Sequence, residues 1–558
     1  MINFSIVRSF TFIVSAMLFL NATVKAQGTA IENKAVIQDP IHKANIGKIA
    51  FTAKPVKLNE LGNAQFLNDD QLTNKSNLFM TVFLGNTMTS YLKQLAPTLD
   101  SNTLLQSGNY QFSFYVDQKL VYQSNLLPGA PRANEQNTFT VWTKPLIDNE
   151  HEGGYWSQSA WNRFMFNGGD SALSDGKHVL KIELRPYLKS NTIIIGNVIA
   201  AGTLNLVVNR KPLVDFGNVK LAPLKAYDGL PVSKESFNQD KMKTLKANIE
   251  AGVFKHITSV VVIKNGKILM EEYFNKANRD SLHDVRSVGK TFASTLTGIA
   301  IKDGLLKSEN QTLAEFYDLK TYDHYSPKKA NTSIKELLTM SADFDGDDGD
   351  ADSPGNEENM YPTDDWVKFT LDLPVDTVKY KGQWHYFTAG AMLVGSLLDK
   401  VVPEHLEKYA DAKLFKPLNI TNYKWQYTPQ HVVNTAGGIR MNALDFAKFG
   451  QLYKNNGLWQ GKQVLPKQWV EKSLSRQIQV TGRKEEYYGY LFWNKTYQVN
   501  GKAYETSYCA GNGGNKIFVF KDQPLVVVIT ATAYGTAYGH SQVDKMMEDY
   551  ILPAVVGK

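Results

Sequence analysis

At 558 residues the chain exceeds one ordinary domain, and two to four are expected. Its 43% hydrophobic and 21% charged content is that of a soluble globular protein with ample material for a core. A formal charge of +7 without a basic tail gives no reason to expect nucleic acid as a partner, and a single cysteine, Cys509, excludes a disulfide framework.

The first residues read as a targeting signal. Arg8 precedes an apolar run from Phe10 to Leu20, and Val24-Lys25-Ala26 supplies small residues for cleavage, so residues 1–26 are expected to be removed. The run is short for a membrane span and no later segment is long enough, so the expectation is a periplasmic or secreted protein with no stable membrane anchor.

Residues 27–210 read mainly as β. Tyr110, Phe112, Phe114 and Val116 alternate with Gln111, Ser113 and Tyr115, Asp117-Gln118 turns the chain into Lys119–Tyr122, and Val179–Glu183 and Thr192–Val198 continue the pattern. Short strands separated by turns predict an all-β sandwich or jelly roll. It carries no catalytic motif. Trp142, Trp156 and Trp161 suit either its core or a glycan-binding face, and core aromatics are the commoner use.

A segment with Pro212, Pro223 and Pro231, residues 211–231, reads as a linker. Residues 232–558 begin with a helix expected over Ser236–Glu250, then a hairpin of Ser259–Ile263 and Ile268–Phe274 about Asn265-Gly266. Strands at Lys516–Phe520 and Leu525–Thr530 and a closing helix His540–Leu552 end the chain, with mainly helical segments between. This layout is α+β, an antiparallel sheet flanked by helices.

Chemistry is concentrated at Ser287-Val288-Gly289-Lys290. Ser-x-x-Lys occurs four times, at Ser90, Ser174, Ser287 and Ser326. Ser174 and Ser326 lie in turn-rich, polar stretches, and Ser90 leads toward Pro97. Ser287 instead opens a run, Val288, Phe292, Leu296, Ile299 and Ala300, at helical spacing until Gly304 stops it. A hydroxyl and an amine three residues apart share one face. A serine becomes a useful nucleophile only when a base takes its proton, and a lysine does so near neutral pH only when desolvated or set beside positive charge.

Asp284–Leu305, and Thr435-Ala436-Gly437-Gly438 onward through Ile439-Arg440-Met441 to Gly450, resemble the serine β-lactamase and penicillin-recognising superfamily. The likeness is to its class C-like branch of esterases, D-aminopeptidases, D-Ala-D-Ala carboxypeptidases and 6-aminohexanoate-dimer hydrolases. It covers residues 232–558 and implies a β-lactamase-like fold and an acyl-enzyme on Ser287, with Lys290 and a tyrosine moving protons and no cofactor or metal. The tyrosine is placed at Tyr386, because an apolar helix follows it; the family's Asn two residues on is Thr388. A literal Tyr-x-Asn at Tyr453 leads into a helix end. The third motif is placed in the stretch Ala510-Gly511-Asn512-Gly513-Gly514-Asn515, with Asn512 as its first residue and the N–H groups of Ser287 and Asn515 as the expected oxyanion hole. Thr388 and Asn512 depart from the family pattern and favour an esterase or amidase acting on a small-molecule or peptide acyl substrate over a true β-lactamase. Alternatives are a carboxypeptidase-like enzyme, or a non-catalytic peptidoglycan- or glycan-binding protein that keeps the fold.

Between Asp343 and Asp365 lie ten acids and no Lys or Arg, which reads as a solvated loop rimming the site rather than a calcium loop, since the sixth position is Asp348 and the twelfth Pro354. No zinc spacing occurs among the histidines; His385 and His540 are auxiliary proton carriers at most. Cys509 reads as inert core, and Asn442 with Asp445 as a helix cap.

Overall fold

The computed structural model describes residues 37–127, 131, 133–148, 156–189, 192–210 and 214–556. The expected leader lies outside these residues. Among those described, no helix is long and apolar enough to cross a membrane.

Among the described residues, nine strands build the first half: β1 (Ile49–Thr52), β2 (Asp69–Leu72), β3 (Leu78–Phe83), β4 (Gly108–Val116), β5 (Lys119–Asn125), β6 (Val141–Ile147), β7 (Gly176–Lys189), β8 (Ile193–Ile195) and β9 (Ala200–Val208). They form one sheet of order β1-β3-β6 and a larger one of order β2-β9-β7-β4-β5, with β8 on β7. Phe51, Met80 and Val82 of the first meet Phe112, Phe114, Ile182 and Leu204 of the second in one core, which makes a sandwich. The β4–β5 turn is Asp117-Gln118, both at positive φ (50° and 68°), as a tight hairpin needs. Of the strand expected at Thr192–Val198 only Ile193–Ile195 forms.

Helices the periodicity argument did not anticipate cover this sandwich. Met88–Leu95 and Ser101–Ser107 are capped by Thr87 and Asp100, and Trp156–Phe164 buries Ser157, Ala160, Trp161 and Phe164 along one helical face. Trp142 and Trp161 are core residues, and Trp156 packs on Tyr110, Phe112 and Trp142. The aromatic set is therefore interior rather than a glycan face.

The stretch 214–231 is not a free linker. Ile268 N–H donates to the Pro231 carbonyl and Leu230 is fully buried in the core of the second half. From there β10 (Ile257–Lys264) and β11 (Lys267–Tyr273) turn about Asn265-Gly266. Three short strands, β12 (His283–Asp284), β13 (Tyr423–Trp425) and β14 (Ile439–Met441), pair in the order β12-β14-β13, and β15 (Leu458–Trp459) pairs with β16 (Lys462–Gln463). The chain then adds β17 (Ile478–Gln479), β18 (Tyr487–Tyr488), β19 (Trp493–Val499), β20 (Lys502–Gly511), β21 (Asn515–Phe520) and β22 (Leu525–Ala531). The main sheet is antiparallel, with order β11-β10-β22-β21-β20-β19-β18-β17.

Its central strands read as unbroken apolar runs because both faces are covered. Val261, Ile517, Val526 and Val528 face the helices Lys290–Lys302, Thr388–Val401 and Ala443–Lys454, whereas Val260, Phe518, Val527 and Ile529 face Gln239–Ala251 and the helical C-terminus. Side-chain bonds tie the two halves together: Asn162 Nδ2 donates to the Tyr534 carbonyl at 2.9 Å, and Arg163 pairs with Glu358 at 2.7 Å.

Candidate active site

Ser287 sits in a 3-10 turn, Arg286–Gly289, that feeds directly into the helix Lys290–Lys302. With three residues per turn, positions i and i+3 eclipse, so Lys290 stands over Ser287. Lys290 Nζ donates to Ser287 Oγ at 2.8 Å and to the Ala436 carbonyl at 2.8 Å, and the lysine is only 1% exposed. The turn begins with Arg286 at φ 52°, a left-handed conformation unusual for a residue with a Cβ. It is held by the Asp284 carboxylate, which accepts from Arg286 N–H, and by the guanidinium lying 4.5 Å above the Tyr534 ring.

The helix behind is buried on all sides, so its polar side chains return to the backbone: Thr295 and Thr297 hydroxyls donate to the carbonyls four residues earlier. Asp303 ends it and Gly304 follows at φ 74°.

Backbone crowds around Ser287 N–H. A Cβ on Gly437 would stand 2.9 Å from the Arg286 carbonyl carbon and 3.3 Å from Ser287 N, and one on Gly511 would stand 1.9 Å from the Val285 oxygen and 3.0 Å from Ser287 N. Only glycines permit this convergence. Gly511, at the end of β20, is thus the residue set against Ser287 N–H.

Asn515 is placed differently from the expectation. It is buried at the start of β21, and its side chain closes the turn by donating to the Asn512 and Ala531 carbonyls and accepting from Ala531 N–H. Gly513 and Gly514, at φ 92° and 94°, make that turn against Tyr534 and Gly539, while the exposed Asn512 accepts from Gly535 N–H.

Tyr386 is brought beside the pair: the Lys290 ammonium lies 5.1 Å over its ring. The ring is fixed by stacking on Trp493 and by Trp384. Its hydroxyl bonds to no described residue. Tyr453, by contrast, is core, its hydroxyl bonded to Thr295 at 2.8 Å, and Asn455 is a helix C-cap. Thr388 opens the helix after Tyr386, and its N–H donates to Asp348 Oδ2 at 2.9 Å.

The other Ser-x-x-Lys sequences build no such pair. Ser326 caps the one-turn helix Pro327–Ala330, and Lys329 Nζ donates to the Asp323 and Leu371 carbonyls. Ser90 lies on the short helix Met88–Leu95, which ends before Pro97, but Lys93 reaches the Leu99 carbonyl instead. Cys509 is buried in β20 with its thiol pushed up to about 12 by burial, and Asn442 caps its helix by accepting from Asp445 N–H. His385 is buried against Tyr380, and burial lowers its pKa.

The acidic stretch is not a uniformly solvated rim. Asp343 is buried and accepts from Gly382 N–H. Asp348 turns inward: desolvation, then the charge of Glu357, raise its carboxyl to about 7 against the opposing effects of Thr388 and Lys290. Among the described residues, no three His, Cys, Asp or Glu side chains gather as a metal site. Sequence reasoning did not see that Gly511, within the motif stretch, lies against the Ser287 turn, that Asp348 turns inward, or that Trp493 stacks on Tyr386. A cavity of about 580 Å³ between the two halves, walled by Trp161, Phe166, Lys255 and Tyr534, does not include Ser287.

The Beta-lactamase family model matches residues 245–546. A 6-aminohexanoate-dimer hydrolase of Paenarthrobacter ureafaciens is 22% identical over 250 residues, 42% of this chain and 62% of that protein, so the chain spans less than two thirds of that relative's length. Among solved structures, a penicillin binding protein from Bacillus halodurans aligns at 17% identity and a TM-score of 0.42, covering 56% of this chain and 99% of that one. A D-stereospecific amidohydrolase from Streptomyces sp. aligns at 15% and 0.42, covering 54% and 96%. With more than half of its length matched to that model, the chain belongs to the β-lactamase family.

Proposed function

We propose that the protein is an exported serine hydrolase that cleaves an ester or amide through an acyl-enzyme on Ser287. The observation that carries this reading is the 2.8 Å contact between Lys290 Nζ and Ser287 Oγ at a buried turn where Ser287 N–H faces the end of β20. In its neutral form the lysine nitrogen accepts the hydroxyl proton as Oγ bonds to the acyl carbon. The negative charge then forming on the acyl oxygen is met by backbone N–H groups at the turn, a fixed dipole set that needs no reorganisation. Tyr386, held over the same ammonium, is suited to deliver a proton to the leaving group. Water completes the cycle by displacing Ser287 from the acyl group.

Thr388 and Asn512 stand where relatives that grip a β-lactam carry other residues, and Asn512 has no positive charge to bind a carboxylate. This favours ester or amide hydrolysis over penicillin turnover. The test is hydrolysis of p-nitrophenyl butyrate and of a penicillin by the wild type and Ser287→Ala. Ester turnover lost in the variant, with little penicillin cleavage, supports the reading. Turnover retained by Ser287→Ala would reject it.

A further inference from the structure

The cavity of about 580 Å³ between the two halves falls within the roughly 300–1,000 Å³ of small-molecule sites. The first half gives it an apolar wall: Leu146 of β6, Trp161 of the helix Trp156–Phe164, and Met165 and Phe166 just beyond that helix. The second half adds Lys255 and His256, which lead into β10, and Tyr534 and Tyr538, which follow β22. Phe166 and Val253, one from each half, are 69% and 41% exposed, so both leave apolar surface in water beside the cavity.

The charges of these walls are unevenly satisfied. Arg210 pairs with Asp170 at 2.5 Å and also donates to the Asp170 and Leu173 carbonyls. Asp148 has a partner of its own. Burial, then the neighbouring Lys255 charge, lower His256 to about 4, so it is neutral. Gln542 is engaged by the Lys255 backbone, accepting from its N–H and donating to its carbonyl, each at 2.8 Å. The Lys255 ammonium lies 5.2 Å over the Tyr538 ring and, among the described residues, has neither a hydrogen-bond acceptor nor a carboxylate. Burial, then Arg210, act against its charge. A half-buried cation in that state gains from an anion brought to it. One such cation beside aromatic and aliphatic walls matches a single negative charge on an apolar body; a phosphate monoester, with nearly two charges, would leave one unmet.

We propose that this cavity binds a small organic carboxylate, with the anion on Lys255 Nζ and the apolar body along Trp161, Met165 and Phe166. The site stands apart from the serine-acylation reading, since its walls include none of Ser287, Lys290 and Tyr386.

The test is isothermal titration calorimetry of the protein with 4-phenylbutyrate and with 4-phenylbutanol, its uncharged counterpart. The wild type should bind the acid one to one and the alcohol at least about tenfold more weakly, as the loss of a charge-assisted bond implies. Lys255→Met should weaken the acid about tenfold and leave the alcohol unchanged. Phe166→Ser, at an exposed position, should weaken both, and Lys290→Met, in the catalytic site, should change neither. If Lys255→Met folds poorly, the acid-to-alcohol ratio on the wild type and the Phe166→Ser result decide. A folded wild type with no saturable binding of the acid, or a folded Lys255→Met that binds it as tightly as the wild type, would overturn the proposal. Acid binding lost in Lys290→Met but kept in Lys255→Met would place the acid in the catalytic site and overturn it equally.

Discussion

Gly511 offers a sharp test of how the site is built. A Cβ there would stand 1.9 Å from the Val285 oxygen and 3.0 Å from both Ser287 N and Val288 N, all backbone atoms that cannot rotate away. Reaching even a 3.0 Å contact requires β20 and the Ser287 turn to part by about 1.1 Å, in an interior packed too tightly to absorb it. A displacement of about 1 Å at a reacting centre costs roughly 100-fold in rate, and losing one oxyanion donor costs about 100- to 1,000-fold. Gly511→Ala should therefore lower kcat for p-nitrophenyl butyrate at least about 100-fold, about 2.7 kcal/mol of barrier, with an overpacking cost of about 1–3 kcal/mol in stability. Gly62→Ala, whose Cβ meets nothing within 4 Å, is the matched control. Steady-state kinetics beside urea unfolding separates the two effects. A folded Gly511→Ala enzyme with wild-type kcat would refute the claim that β20 lies against the reacting serine.

Lys290→Met should abolish turnover by about 100- to 10,000-fold yet leave the unfolding midpoint near wild type, since a buried ammonium is replaced by an apolar chain of similar volume; a large loss of stability would mean that the lysine is mainly structural. Tyr386→Phe keeps the ring on Trp493 and removes a hydroxyl without a described partner, so thermal stability should hold while ester turnover falls about 100-fold; unchanged turnover would remove Tyr386 from the relay. Asp348 has a folded-state pKa raised from 3.8 to about 7, so the stability it contributes is fully present below pH 3.8 and is lost as pH rises through 7. Urea unfolding of wild type against Asp348→Asn from pH 4 to 8 should show the wild type losing ground by a few kcal/mol at most, and parallel curves would contradict the assignment.

How much of this was legible in sequence differs between elements. Ser287 and Lys290 stood out because a polar turn runs straight into an apolar helix, a contrast that local pattern carries well. Tyr386 needed its following helix for context. Gly511 belonged to the motif stretch but could not be set apart from its neighbouring glycines, because its necessity arises from Val285, more than 200 positions away, and a glycine at a strand end is otherwise a turn residue. Asp348 was hidden among like acids: composition reports charge, not which carboxyl turns inward. Trp493 entered the site only through sheet order. In the first half the alternation found β4, β5 and β7, but Trp156, Ala160, Trp161 and Phe164 recur at helical spacing and their aromatic character drew attention to the sheet instead. The α+β layout of the second half was readable because its outer hairpin and closing strands are continuous apolar runs, whereas short β17 and β18 carry almost no periodic signal.

The central claim is that Ser287 is an activated nucleophile. Intact-mass spectrometry after fluorophosphonate treatment tests it most directly, beside Ser287→Ala. The account predicts one covalent adduct on the wild type, mapped to Ser287 and absent from the variant. A folded wild type that takes no adduct, or a variant that takes the same one, would contradict it.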